Sequence, residues 1–532
     1  SQDVELVNGW RNDSHTTLRF RRPWDTCDQQ EDYLLSSDTV RVIYAYGGAE
    51  APDASLGRFT YHGRERGVRS VQLQEKIPIN IEFGDDVRHW DILSPNVSIP
   101  EKLKTVYWCK VHKLPELEGK HHFIGYDPVI TTGNEALVHH MVLYECLLPE
   151  SDLHYAQWAQ HGGNQCYSPT MPLSWYSCQS PIVAWAIGGK GGRLPEHVGL
   201  PLGEEHNGAT YFMLEVHYDN PANLKGIVDE SGIRIYFTQK TRKFDAGIIK
   251  YGIEVRPSHV IAPVTEAWTN VGHCDATCTR TAYPPEGVQL IGGFLHGHLL
   301  ASQLKLQLIR DGKELEPILE DKSYDFNFQQ ERILKVERTL LPGDHVIFAC
   351  TYNSSTLVRP TFGGLGTTDE MCLAYILYYP RSSLLSCRSY VTTEALMNSI
   401  GIQDLYPVDQ NSLKLRNKLK NQVKANENAV PGENSIPLHM YAKFNAFKIK
   451  EPFALQNMTL LQLLRERSLW RNKQVVRNLR DVMDKGSYVP VCVVKNNGET
   501  QTLKLPTTPY PEFEPYRPPE RQCNMKKDGG NK

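Results

Sequence analysis

Most of the chain before residue 400 falls into short runs of β-branched and aromatic residues, each closed by glycine, proline, asparagine or aspartate. The clearest are VRVIYAY (40–46), ALVHHMVLYECLL (136–148), YFMLEVHY (211–218), IRIYF (233–237) and CLAYILYY (372–379). Branched and ring side chains fit a pleated surface and lose rotamer freedom in a helix, so these runs read as strands. Asp311-Gly312 between two such runs signals a hairpin, and Pro342-Gly343 turns the chain before another strand. Many short strands with frequent turns predict a mainly β chain of antiparallel sandwiches. Two stretches of similar size, 90–222 and 241–399, fit a tandem pair, and 532 residues exceed what one core can serve.

The remainder, 400–532, has a different texture. Leu460, Leu463, Leu464, Val475, Val476, Leu479 and Val482 recur at helical spacing, which predicts a helix over 459–485 with Gly486 as its stop. The tail from Thr507 is rich in proline and polar residues and predicts extended chain. The nearest approach to a basic run, LKLRNKLKNQVK (413–424), reads as a solvated amphipathic segment. With 58 basic against 61 acidic residues and a formal charge of -3, nucleic acid is disfavoured as a partner. No window approaches the roughly 18 consecutive apolar residues of a membrane span. The chain opens at Ser1 without a charged-then-apolar leader, which reads as a processed product or a fragment.

Twelve cysteines without CxxC spacing accompany glycosylation sequons at Asn12, Asn96, Asn353 and Asn457. An even cysteine count together with sequons predicts an oxidising compartment: the secretory-pathway lumen, endoplasmic reticulum or vesicle, or the extracellular space.

Four places carry candidate metal donors. In GGFLHGHLL (292–300), His296 and His298 stand two apart on a predicted strand, so both imidazoles face one side of the sheet. Imidazole suits copper, zinc, iron or nickel. His139 and His140 are adjacent and should face opposite ways, unless the strand bends or the rings use different nitrogens. His217, near the end of LEVHYDNP, taken alone reads as a hydrogen-bonded structural histidine. Met371 opens an apolar strand and taken alone reads as core, but a thioether is a soft ligand that selects Cu(I). If Met371 joins the His296/His298 pair, the metal is copper.

In chain order the donors run HH, H, HxH, M, set among RRPWDTCD, TVYWCK, GNEALVHHMVLYEC, SGIRIYFT, PGDHVIFACTYN and EMCLAYILYYP. This series resembles the copper type II, ascorbate-dependent monooxygenases, and within them the dopamine-beta-monooxygenase-like group. The resemblance covers nearly the whole chain. It implies that His139, His140 and His217 hold an electron-passing copper in the first sandwich. His296, His298 and Met371 would then hold a second copper, where oxygen binds and substrate is hydroxylated. Two copper ions per chain would face each other across a solvent-filled cleft, with ascorbate as electron donor and O2 as co-substrate. Tyr107 and His296 match residues given catalytic roles.

The resemblance further implies the disulfides Cys109–Cys166, Cys146–Cys178, Cys274–Cys387, Cys350–Cys372, Cys278–Cys492 and Cys27–Cys523. It makes residues 1–74 the closing part of a DOMON sandwich, 90–222 and 241–399 the two copper domains, and 400–532 a C-terminal extension whose helix and tied tail offer a surface for a homodimer.

Departures from the family pattern narrow the substrate. Phe294 stands where the peptide-amidating branch has a carboxylate-binding arginine, and a neutral ring cannot form a bidentate pair with a carboxylate. A peptide-glycine substrate is therefore disfavoured. A small aromatic, amine-like molecule is expected, with Phe294 and Tyr375 lining its pocket. Gly297 stands where a threonine separates the two histidines in the dopamine branch, and glycine should loosen the strand there. The competing expectation is a catalytically silent, secreted copper-binding or interaction protein of the same fold. A zinc hydrolase fits less well, since Met371 is a poor zinc ligand and no H-E-x-x-H helix occurs.

Overall fold

The computed structural model describes residues 3–46, 62–74, 83–146, 153–407, 447–496 and 499–519, apart from the single positions 14, 29, 169, 173, 176, 177, 179, 188 and 367. Two sandwiches stand in tandem, as the strand pattern predicts, and they are antiparallel except for two parallel pairs, Val198–Leu202 with Phe244–Asp245 and Gly247–Ile253 with Leu384–Val391. In the first, Thr105–Lys113, Tyr211–Asp219 and Val138–Glu145 are the middle strands of a five-stranded sheet, edged by Asn164–Gln165 and Ser180–Ala186. His121–Val129 and Gly232–Thr238 lie within the six-stranded partner sheet. Phe212, Leu214, Val216 and Tyr218 meet Phe123, Ile233, Ile235 and Phe237 in the core between the sheets. Strand alternation then turns Met213, Glu215 and His217 outward.

The second sandwich repeats this logic on a larger sheet. Its strand order is Arg332–Leu340, Val288–Gly297, Cys372–Tyr379, Gly247–Ile253, Leu384–Val391, Tyr488–Asn496 and Glu499–Leu503. Leu290, Leu295, Ala374, Ile376 and Tyr378 pack inward against Leu304, Leu306, Val346 and Phe348 of the opposing sheet. The alternate set, Leu373, Tyr375 and Leu377, faces outward toward the first sandwich. Leu377 and Ile291 are buried in the core of that first sandwich. Each such burial is worth about 1.5–3 kcal/mol, enough to hold two outward faces together. Arg381 adds an ion pair to Glu145 at 3.7 Å and a backbone bond to Asp245 at 2.7 Å.

The region read from sequence as an extension is only partly separate. Its strands Tyr488–Asn496 and Glu499–Leu503 complete the seven-stranded sheet, with Cys387 opposite Cys492. The helix expected over 459–485 is three helices, Leu460–Arg465, Arg467–Arg471 and Lys473–Lys485. The breaks have local causes. Trp470 Nε1 donates to the Leu464 carbonyl at 2.8 Å, and the Asn472 side chain accepts from Gln474 and Val475 N–H, capping a new start. Gly486 follows the last helix as predicted, but with an ordinary φ of -74°.

Asp311 and Gly312 adopt φ of 50° and 71° between the paired residues Arg310 and Lys313, the hairpin the sequence signals. Disulfides join Cys109–Cys166, Cys146–Cys178, Cys274–Cys387, Cys278–Cys492 and Cys350–Cys372. Cys523 lies outside the described residues, as does the 413–424 tract. All four sequon asparagines are exposed. No helix among the described residues is long and apolar enough to cross a membrane.

Before the first sandwich, two hairpins, Glu5–Arg11 with Thr16–Arg21 and Val40–Ala45 with Arg66–Val71, are separate two-stranded sheets. The second hairpin is moored to the second sandwich. Asp321, 1% exposed, accepts from Thr39 N at 3.0 Å and Thr39 Oγ1 at 2.6 Å. Asp38 accepts from Lys322 N at 2.8 Å, and Ser70 Oγ donates to Asp325 at 2.6 Å. Asp321→Asn halves its accepting capacity at a buried ion pair with Arg332. We expect limited trypsin digestion to release the 1–74 segment roughly tenfold faster in this variant, in line with a loss of about 1–3 kcal/mol. An unchanged cleavage rate would show that the mooring lies elsewhere.

Candidate metal centre

The first donor cluster arises from a bulge. On the Val138–Glu145 strand, His140 pairs with His217, but the next ladder step pairs Val138 with Tyr218, so His139 is the extra residue. Such a bulge bends the strand and re-aims a side chain. It is the bend that adjacent histidines need to share one side. His139 Nδ1 lies 3.2 Å from His140 Nδ1, which lies 3.3 Å from His217 Nδ1. Imidazole–metal bonds of about 2 Å set ligand nitrogens about 3.3 Å apart, so this spacing fits three donors around one ion. Thr105 Oγ1 and His217 Nε2 share a hydrogen bond at 2.6 Å; with the proton on Nε2, the Nδ1 lone pair is left toward the cluster. Tyr107, the cross-strand neighbour of His217, stacks on its ring at 4.2 Å with the planes 1° apart.

The second cluster lies on the outward face of the seven-stranded sheet. His296 and His298 share that face, with ring centroids 5.1 Å apart. His296 pairs with Leu373 and Gly297 with Cys372, where the ladder ends; just beyond it His298 N and Met371 N both donate to Glu370 Oε2, and both side chains line the cavity. His296 Nδ1 donates to Gln329 Oε1 at 2.7 Å and His298 Nδ1 to the Asp369 carbonyl at 3.0 Å. Both Nε2 atoms are thereby left as donors to a metal. Glu370, fully buried, ties the two strands together. Its carboxylate accepts from His298 N at 2.9 Å, Leu300 N at 2.6 Å and Met371 N at 3.2 Å.

Gly297 differs from expectation. A Cβ there would come within 2.6 Å of Ala301 Cβ, and Tyr324 OH accepts from Gly297 N at 3.2 Å while donating to Gly297 O at 2.8 Å. The glycine is tightly held, and its space is filled by Ala301.

His139, His140, His296, His298 and Met371 line one cavity of about 210 Å³ between the sandwiches, and His217 adjoins it through ring contacts with His139 and His140. Phe326 is edge-on to His140 at 6.4 Å and to His298 at 6.0 Å, so an aromatic ring bridges the cleft that the resemblance leaves to solvent. Phe294 stacks on Tyr375 at 4.8 Å beside His296, and both rings line the cavity. Burial lowers all five histidines: His140 well below the ordinary range, His217 and His298 to about 3, and His139 and His296 in the same direction. They are neutral at pH 7, the form that binds metals.

Comparison with known proteins bears on this geometry. Residues 90–225 match the model of the copper type II ascorbate-dependent monooxygenase N-terminal domain, 244–400 that of its C-terminal domain, and 1–47 a DOMON domain. MOXD1 homolog 1 of Drosophila melanogaster is 33% identical over 542 residues, covering 98% of this chain and 76% of that protein. The human DBH-like monooxygenase protein 1 is 39% identical over 408 residues, 76% of this chain and 65% of the relative. Human dopamine beta-hydroxylase is 38% identical over 390 residues, 73% and 61%.

The chain belongs to the copper type II, ascorbate-dependent monooxygenases. In this family member five of the six candidate donors line one cavity and the sixth, His217, contacts two of them, while little in their motifs points to the supports Thr105, Gln329, Phe326 and Glu370. Glu370 adjoins Met371 in DEM, an acid at the mouth of an apolar strand, and was the one legible signal. Thr105 opens the neighbouring strand, and Phe326 and Gln329 arrive from a distant loop, with no local pattern to mark them.

Three outcomes are expected. In Glu370→Gln an amide NH2 replaces one accepting oxygen opposite backbone N–H groups. Copper titration should show roughly 10–100-fold weaker binding, the loss usual for a group that orients ligands; unchanged copper affinity would remove Glu370 from that role. Gly297→Thr should lose about 1–3 kcal/mol in denaturant unfolding through overlap with Ala301, and Ala301→Gly should recover part of it. For pH, the folded state binds fewer protons than the unfolded chain between the ordinary histidine value of 6.5 and about 3, so stability is full above 6.5 and falls as pH drops through that window. The Tm of metal-free protein should therefore drop from pH 7 to pH 5; a flat profile would contradict buried neutral histidines.

Proposed function

We propose that the protein is a copper monooxygenase that holds two copper ions and hydroxylates a C–H bond of a small aromatic substrate, using O2 and ascorbate. The observation that carries this reading is the pairing of unlike donor sets at one cavity: a cluster of three imidazoles, two of them lining it, on one side, and two imidazoles and a thioether on the other. His139, His140 and His217 would hold one copper, and His296, His298 and Met371 the other. Copper so held supplies one-electron redox chemistry, and the thioether favours its reduced state. The net reaction is R–H + O2 + 2 e⁻ + 2 H⁺ → R–OH + H2O, with ascorbate giving both electrons.

The chain's own residues orient and enclose. Gln329 and the Asp369 carbonyl fix the tautomers of His296 and His298, and Tyr107 holds the His217 ring in plane. The Phe294/Tyr375 stack forms an apolar wall next to His296 that suits a ring, and Phe326 fills the space between the clusters. A cavity of about 210 Å³ has room for one substituted ring, given that about 150 Å³ holds benzene. The five disulfides and exposed sequons support folding in the secretory lumen or outside the cell.

The test is copper stoichiometry with coupled turnover. Two coppers per chain, with ascorbate oxidation matched by hydroxylated product, is expected; two coppers without product from any substrate would favour a silent copper-binding protein. Met371→Ile should abolish hydroxylation while leaving one copper bound, and full activity in that variant would reject the ligand set.

A further inference from the structure

The outward face of the seven-stranded sheet carries a cationic group that the copper chemistry does not use. Strand pairing sets Phe294 beside Tyr375 and Tyr375 beside Lys250. In the next row His296, Leu373, Gly252 and Arg388 stand side by side. Lys250 and Arg388 line the same cavity as the candidate ligands. Lys250 is 6% exposed, and its Nζ lies 5.7 Å from the Tyr375 ring centroid; no hydrogen bond or ion pair engages that amine among the described residues. An unpaired amine buried in a sheet is costly unless something else satisfies it.

The charges around it are unequal. Arg388 bonds Ser386 Oγ through Nε at 2.8 Å and pairs with Glu254 at 3.1 Å. Arg256 lies over the Tyr390 ring at 3.8 Å and also lines the cavity. Across the cavity, Glu215 accepts from Tyr167 OH, and burial raises its carboxyl to about 7. Three basic groups thus share the cavity with two acidic ones: Glu215 is held by Tyr167 OH, and Glu254 is ion-paired with Arg388 without a hydrogen bond at its Oε2. An incoming ammonium would meet like charge, whereas an anion would find Lys250 uncommitted. This argues against the amine-like end that the sequence suggests.

We propose that Lys250, flanked by Arg388, receives a carboxylate of the substrate, so that the protein acts on small aryl-alkyl carboxylic acids whose ring lies on Phe294 and Tyr375. This rests on the hydroxylase reading for its reaction but on the cavity alone for its ligand. Lys250 is two strands from Phe294, about 10 Å at ordinary strand spacing, which suits a ring with two or three carbons before the carboxylate. Burial, and then the Arg388 charge, push the Lys250 amine well below its ordinary range, while Glu254 pulls the other way. A bound carboxylate would restore the charged form, so binding should take up a proton.

The test is calorimetric binding to the copper-loaded protein, with 3-phenylpropanoate, 3-phenylpropan-1-ol and 2-phenylethylamine as probes. Wild type should bind the carboxylate roughly tenfold or more tighter than the other two, the scale of one charge-assisted contact. Lys250→Met should remove that preference while leaving affinity for the alcohol in place, and Lys250→Arg should retain most of it. Equal or tighter binding of the amine, or an unchanged preference in Lys250→Met, would overturn the proposal. The two readings fail separately. Selective carboxylate binding without ascorbate-coupled product supports the anion site and rejects the hydroxylase. Coupled hydroxylation of the amine but not the carboxylate supports the hydroxylase and rejects the anion site.

Discussion

The chemistry depends on one packing contact between the sandwiches. Ile291 and Leu377 leave the outward face of their own sheet and are buried in the core of the other domain. Because strand residues alternate, the same registration that buries Leu377 leaves Tyr375, Leu373 and Met371 on that face, further along the strand and open to the cavity. The first sandwich answers with Met213, Glu215 and His217, the outward set of a strand whose inward set is Phe212, Leu214, Val216 and Tyr218. A functional cavity follows from two half-used sheets held face to face. A one-residue slip in either would exchange donors for core.

Within that frame, the two donor sets are built by different means. The His296/His298 pair needs no distortion, since spacing by two already puts both rings on one face. The His139/His140 pair needs a bulge, and the ladder supplies it opposite His217. Support is equally unlike. Thr105 and Tyr107 from the neighbouring strand hold the first cluster, whereas Gln329, Asp369 and Glu370 from loops hold the second.

Much of this was legible in the residues. Strand runs such as CLAYILYY correspond to strands residue for residue, and the Asp311-Gly312 turn forms its hairpin. The donor types and their order carried the family and the metal class. Three things were not legible, each because it depends on pairing over long separations. The 488–503 strands look like part of a tail until Cys492 is seen opposite Cys387. Gly297 looks loose until Ala301 and Tyr324 are seen around it. Lys250 is one lysine in an apolar run, and only the register reveals that it shares a row with Phe294 and Tyr375. The single helix over 459–485 failed for a local reason, since Trp470 and Asn472 cap within it.

The central claim is that two copper sites of unlike donor sets share one cavity, and X-ray absorption of the Cu(I)-loaded protein addresses it most directly. The account predicts two coppers per chain with imidazole scattering throughout and a copper–sulfur contribution from half of the metal, lost in Met371→Leu. A spectrum of nitrogen donors alone, or a sulfur contribution that survives that substitution, would contradict it.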